Sequence, residues 1–275
     1  MAEIAIKSTP MITTDAAVAE DIIQVKNLTV GYGDNIILQD LNFSVKRGEI
    51  FVILGGSGCG KSSLLKNMIG LYEPPVGDVL IEGHDIVTAE GAERQNILTR
   101  FGVMYQQGAL FGSMNLLENV RLFLEEYTNL TSEEMSLIAR CKLDLVGLLP
   151  YEAFMPSEIS GGMQKRAAIA RAMALDPDIL FLDEPSAGLD PITSAELDQT
   201  ILSISRNLGI TFVVVTHELP SIYTIADRVI MLDKTTKGII AEGKPQWLRD
   251  HSDVPLVRQF FNRDFHGASP ETTVA

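Results

Sequence analysis

An unbroken apolar run, Ile50-Phe51-Val52-Ile53-Leu54, leads straight into Gly55-Gly56-Ser57-Gly58-Cys59-Gly60-Lys61-Ser62. The octet fits G-x-x-x-x-G-K-[ST] in full. Apolarity at every position, rather than every second one, marks a strand buried on both faces, as in a parallel sheet. Glycines let the backbone that follows curl, so that successive N–H groups point inward. The spacing predicts a helix over Lys61–Ile69 whose positive end faces the same point. With a strand before it and a helix after it, the octet is a phosphate cradle rather than a plain Gly-rich turn. Lys61 brings a point charge to the β- and γ-phosphates of ATP, and Ser62 offers a hydroxyl to Mg2+. Gly55, Gly56, Ser57, Gly58, Cys59, Gly60 and Ser63 are counted with them as nucleotide-binding, although the Cys59 thiol is assigned no chemistry.

Two further apolar runs, Ile179–Leu182 and Thr211–Val215, and a weaker one, Val229–Leu232, alternate with helical patterns over Gly161–Leu175 and Thr193–Asn207. That alternation predicts an α/β fold with a mostly parallel core sheet and helices on its faces. Ahead of it, Ile22–Val30 and Ile36–Val45 flank the turn signal Gly31-Tyr32-Gly33-Asp34, so an antiparallel β part is expected. From Leu110 to Asp176 the pattern is helical only: Asn115–Tyr127, Ser132–Arg140 and a long helix after Ser160. Thr131-Ser132-Glu133-Glu134 reads as a helix start. The expected organisation is a tail over 1–21, a nucleotide-binding domain over 22–246 with a helical insertion at about 108–177, and an extension over 247–275.

The formal net charge of −14 repels phosphate backbones, so nucleic acid is excluded as a partner. It also disfavours lying on an anionic leaflet. Cys59 and Cys141 stand alone, without a CxxC pair or a His cluster, which argues against zinc and against a disulfide framework. No stretch approaches the ~18–20 apolar residues that cross a bilayer, so work at a membrane needs a second chain to span it.

The run Ile179–Leu182 ends in Asp183-Glu184-Pro185. Acids seldom lie so close to a core without a purpose. Neighbouring strand residues point to opposite sides, so the two acids are expected to take two roles. Asp183 holds Mg2+, and Glu184 orients or deprotonates the attacking water as general base. Between these motifs lies Glu158-Ile159-Ser160-Gly161-Gly162-Met163-Gln164-Lys165-Arg166. Ser160 is a good N-cap, and the glycines expose N–H groups at a positive helix end. One nucleotide pocket rarely needs a second γ-phosphate cradle from the same chain.

From about Ile22 to Gly243 the sequence resembles the ABC ATPases. The Ser160-Gly161-Gly162 stretch resembles their signature motif, which implies two copies paired head to tail, each signature closing on the ATP of the other. Gln106, after Tyr105, resembles the glutamine that senses Mg2+ and water. Asp190, in Ala187-Gly188-Leu189-Asp190, resembles the acid that reaches across the dimer. His217 resembles the histidine that contacts the γ-phosphate, and Tyr32 the aromatic that stacks on adenine. The family usually has Leu-Ser-Gly-Gly-Gln, and Met163 departs from it, since a thioether cannot make glutamine's polar contacts.

Ser-Gly-Gly-Met with Lys165-Arg166-Ala167-Ala168, the run Tyr105–Phe111, Asp190-Pro191-Ile192-Thr193 and Val257-Arg258-Gln259-Phe260-Phe261 resemble the subgroup serving MCE-protein phospholipid transporters. That likeness implies a homodimer on the cytoplasmic face of the inner membrane. Its implied partners are integral permease subunits, an MCE substrate-binding protein and a small accessory protein. Phospholipid would be handled indirectly, between inner and outer membranes. Another ABC importer or exporter, or an ABC ATPase outside transport, are the alternatives. The resemblance implies a permease helix near Gly108–Asn119, with Leu110, Phe111 and Leu116 either its apolar floor or part of the core. Phe260, Phe261 and Phe265 are expected to dock, and the resemblance implies the paired ATPase or the accessory protein as their contact.

Overall fold

The computed structural model describes residues 20–33 and 35–262. Strands β1 (Asp21–Tyr32) and β2 (Asn35–Lys46) pair antiparallel across the expected turn. β1 also pairs with β4 (Val76–Ile81), which pairs with the two-residue β5 (His84–Asp85). The order of this sheet is β2-β1-β4-β5.

The central sheet contains β3 (Ile50–Gly55), β6 (Phe101–Met104), β7 (Ile179–Asp183), β8 (Thr211–Val215), β9 (Arg228–Asp233) and β10 (Gly238–Gly243). Its order is β10-β9-β3-β8-β7-β6, parallel except for the edge strand β10. The apolar runs resolve into two superposed alternations. Phe51, Ile53, Phe181, Val213 and Val215 face the antiparallel sheet and helix α1 (Lys61–Met68). Val52, Leu54, Leu180, Leu182 and Val214 face the opposite way, into the helices. Each face packs against its own layer, which is why the polar residues of β7 and β8, Asp183 and Thr211, stand only at strand ends.

That second layer comprises α3 (Leu116–Tyr127), α4 (Ser132–Leu145), α5 (Gly161–Ala172), α6 (Pro191–Leu208) and α7 (Leu219–Ile225). Thr131 caps α4 in a capping box with Glu134, as its sequence predicts, and Asn115 does the same for α3 with Glu118. Helix α2 (Gly91–Thr99) leads into β6.

The C-terminal expectation needs correction. Helices α8 (Pro245–His251) and α9 (Pro255–Asn262) fold back on the chain's own domain. Leu248, Val257 and Phe261 are buried in the helical-face core, and the Tyr223 hydroxyl of α7 donates to the Phe261 carbonyl at 3.2 Å. Phe261 therefore finds its cover on α7 and not on a partner, and Phe260 packs half-buried beside it. Phe265 lies outside the described residues. The boundary expected at 246 falls inside α8.

Asp198 on α6 is 4% exposed, and burial pushes its carboxyl up to about 6, against the pull of the Ser221 hydroxyl. A carboxyl raised in the folded state binds a proton there that the unfolded chain has lost, so stability from this group falls as pH rises from about 4 to 6. Asp198→Asn should therefore stabilise the protein by about 1–2 kcal/mol at pH 7.5 and by nothing near pH 4. Chemical denaturation at both pH values reads this directly; an equal effect at both would refute it.

Candidate functional site

The parallel register sets the ends of the strands beside one another. Ile53 pairs with Val215, and Val215 with Asp183, so the loops after β3, β7 and β8 open at one edge of the sheet. Ligands in such sheets lie beyond the carboxyl ends of the strands. After β3 the chain turns through Gly58 (φ 73°) and Gly60 (φ 101°) into α1. Gly60 caps that helix in a left-handed conformation, and a Cβ there would stand 2.7 Å from Ile37 Cγ2. Both backbone and space thus require glycine. Lys61 Nζ folds back on the loop, donating to the carbonyls of Gly55 (3.0 Å) and Gly56 (3.3 Å). Cys59 is buried beneath the loop, and burial pushes its thiol up, away from the reactive thiolate.

Ser62 Oγ donates to Asp183 Oδ1 at 3.0 Å, joining the cradle to the end of β7. Burial raises the Asp183 carboxyl, opposed by the Ser62 hydrogen bond and by Lys66, Lys61 and Lys165. A hydroxyl and a buried carboxylate this close form a pair of hard oxygen donors of the kind that Mg2+ takes. Glu184 does not continue the strand. Its φ is +48°, and its N–H donates to the Val215 carbonyl at 2.8 Å. The two acids part company through this left-handed turn, and the expectation of simple strand alternation is corrected accordingly. Such a conformation costs energy in a non-glycine residue and is held by its surroundings. His217 Nδ1 lies 2.9 Å from Glu184 Oε1. Glu184 Oε2 is buried at the same 2.9 Å from that nitrogen and has no other partner among the described residues.

Gln106 lies in the turn after β6, beside the acid pair because Met104 pairs with Leu182. Its carbonyl accepts from Lys165 Nζ of α5. Lys165 is almost fully buried; burial lowers its amine, while Glu184 and Asp183 oppose that shift. Tyr32 ends β1 exposed, edge-on to Tyr72 with ring centroids 5.4 Å apart, its hydroxyl 3.2 Å from Ser63 Oγ.

The second cradle sits elsewhere. Ser160 caps α5, accepting from the Met163 N–H at 3.3 Å. A Cβ on Gly162 would meet Thr193 Cγ2 at 2.2 Å, and one on Gly161 would lie 3.7 Å from Leu189, so the turn rests on the start of α6. Asp190 caps α6, its carboxylate accepting from the N–H groups of Ile192 and Thr193 and from the Thr193 hydroxyl. Among the described residues no hydrogen bond links Ser160–Gly162 to the first cradle. Met163 packs half-buried against the core.

A family model described as ABC transporter matches residues 38–187, more than half of the chain. This chain belongs to the ABC transporter family. It is an ATP-binding cassette and an ATPase. The chain is 45% identical over 240 residues to a probable ribonucleotide transport ATP-binding protein, mkl, of Mycobacterium leprae, covering 87% of this chain and 68% of that protein. It is 39% identical over 248 residues to the intermembrane phospholipid transport system ATP-binding protein MlaF of Haemophilus influenzae, covering 90% and 93%. Among solved structures it is similar to cbiO1 of Clostridium perfringens, part of an ABC transporter complex (TM-score 0.77, 29% identity, 84% and 92% covered). It is also similar to the dimeric bacterial cassette MJ0796 (TM-score 0.72, 32% identity, 81% and 98% covered). The same cassette is known in a post-hydrolysis state with ADP and Pi (TM-score 0.70, 31% identity, 81% and 98% covered).

An apolar cleft of about 350 Å³ opens between the turn after α1, α2, β6, α3 and α5, lined by Leu71, Leu98, Phe101, Tyr105, Phe123 and Tyr127 among others. Of the apolar residues singled out beside Gln106, Leu116 is fully buried in the core and Leu110 packs on it, whereas Phe111 is exposed. No helix of the described residues is long and apolar enough to cross a membrane. Lys165 has no role of its own assigned from sequence; its signal is a second cation, three residues before Ala168 and six before Arg171, on one side of α5.

Proposed function

We propose that this ABC cassette hydrolyses ATP at a site completed by a second copy, and drives phospholipid transport through a separate permease. The buried Glu184 carboxylate, set against His217, carries the catalytic reading, since it is a base at the mouth of a phosphate cradle. Lys61, Ser62 and the N–H groups from Gly55 to Ser63 hold the phosphates. Ser62 and Asp183, with Gln106 nearby, suit Mg2+, which when bound neutralises charge on the phosphate oxygens. Glu184 orients and accepts a proton from the attacking water, and His217 holds that carboxylate in place. Tyr32 offers its exposed ring to adenine. Ser160, Gly161 and Gly162 of one copy close on the γ-phosphate held by the other, with Asp190 fixing the start of α6 at that face.

In this scheme the ATPase unit begins near residue 22 and includes α8 and α9, with the helical insertion at about 108–177, and the apolar cleft beside β6 receives the permease at the cytoplasmic face of the inner membrane. An MCE protein and a small accessory protein would complete the assembly. Support for phospholipid comes from the likeness to MlaF along nine tenths of both chains. The second reading, ribonucleotide transport, is favoured by the higher identity to mkl, of which the chain spans about two thirds. Affinity purification from solubilised membranes decides between them. Recovery of a permease with a lipid-binding protein and bound phospholipid is expected; recovery with a nucleotide-binding receptor and no lipid would refute the lipid reading.

A further inference from the structure

The turn that carries Gln106 is fastened to α5 through its main chain. Lys165 Nζ donates to the Gln106 carbonyl, and Arg171 donates to the carbonyls of Gly108 (2.8 Å) and Ala109 (2.6 Å). Lys165, Ala168 and Arg171 are spaced three apart, so they share one face of α5. Ala168 closes the middle of that face, 3.3 Å from where a Cβ on Gly108 would stand. The turn adopts left-handed backbone at two successive residues, Gly108 (φ 71°) and Ala109 (φ 52°). Left-handed alanine is a conformation that surroundings must hold, and the two buried cations of α5 hold it here. α5 is also the helix whose N-terminus forms the Ser160–Gly162 cradle.

We propose that Lys165 is a positioning residue for ATP hydrolysis, fixing the main chain at Gln106 so that the Ser160–Gly162 cradle and the Gln106 turn move as one piece. The inference rests on the reading that Gln106 and Glu184 serve hydrolysis. A displacement of α5, when a second copy meets its N-terminus, then carries Gln106 with it toward or away from the acid pair of its own subunit. The ammonium does not touch nucleotide; it acts through the carbonyl it holds.

The test uses the full-length chain with Lys165→Met, similar in length and without charge or donor, and Lys165→Arg. Lys165→Met should lower kcat by about 10- to 100-fold while KM for ATP stays within about threefold, because a small misplacement of a positioned group costs turnover and not binding. Amide hydrogen exchange should quicken over residues 105–110 and stay unchanged in β3 and β8. Lys165→Arg should restore both turnover and protection. Wild-type kcat in Lys165→Met would overturn the proposal. So would a loss of turnover accompanied by faster exchange throughout the protein, or by a KM rise of the same size. If Lys165→Met does not fold, Lys165→Gln replaces it; failure of both to fold with a normal Lys165→Arg makes Lys165 a structural residue and overturns the proposal too. Wild-type turnover in Glu184→Gln would instead remove the catalytic reading and leave the exchange result standing.

Discussion

Glu184→Gln is expected to bind ATP within about threefold of the wild-type affinity and to lose about 10³-fold in kcat. The amide keeps the size of the side chain and a carbonyl oxygen able to accept from His217, so the left-handed turn at 184 and the loop geometry should survive. What it lacks is a carboxylate able to take a proton, because one of the two oxygens becomes an NH2 donor. The loss corresponds to about 4 kcal/mol of transition-state stabilisation, within the range for a positioned general base. Because ATP then persists, the variant should accumulate as a nucleotide-bound dimer, seen by light scattering with ATP and magnesium and absent without them. Turnover near the wild-type rate would remove Glu184 from its role.

Gly102→Ala is expected to destabilise the chain by about 3 kcal/mol and to lower Tm by roughly 6–12 °C. A Cβ at Gly102 would stand 1.9 Å from the Ala172 carbonyl oxygen and 2.7 Å from its carbon. Both atoms are backbone at the end of α5, so neither can swing aside as a side chain would. Gly112→Ala is the control, since nothing lies within 4 Å of its Cβ and its Tm should stay within about 2 °C of wild type. Equal melting temperatures for the two variants would show that β6 and α5 are not packed as described.

Gly102 also shows why part of the fold was hidden. Four residues, Phe101–Met104, with a glycine among them, give no strand signal, because the glycine is there for the approach of α5 rather than for the strand. β5 was hidden because it has two residues, and β4 and β10 because they are half-polar and half-exposed. The central strands were plain because both of their faces are buried, and the first cradle because its glycines and Lys61 have a fixed local spacing. Caps such as Thr131 and Ser160 are local too, and were legible. Pairings across the chain were not. Nothing in the sequence brings His217 to Glu184, or Lys165 to Gln106; the strand register and the packing of α5 do that. The fold-back of α9 onto α7 was misread for the same reason, since the apolar stripe of Phe260 and Phe261 states that cover is needed and not where it is.

The register also sets when the site can exist during synthesis. Ile50 of β3 pairs with Phe212 of β8, and Ile179 of β7 with Thr211, so the cradle and the acid pair are joined only by a strand that emerges late. Contacts this remote in sequence carry a large loop-closure cost and form slowly. At ribosomal rates of roughly 5–20 residues per second, β3 and its glycine loop wait on the order of 10–30 s for β8. Throughout that interval β3 has an open edge, so a nascent chain stalled before residue 211 should neither retain ATP nor resist protease.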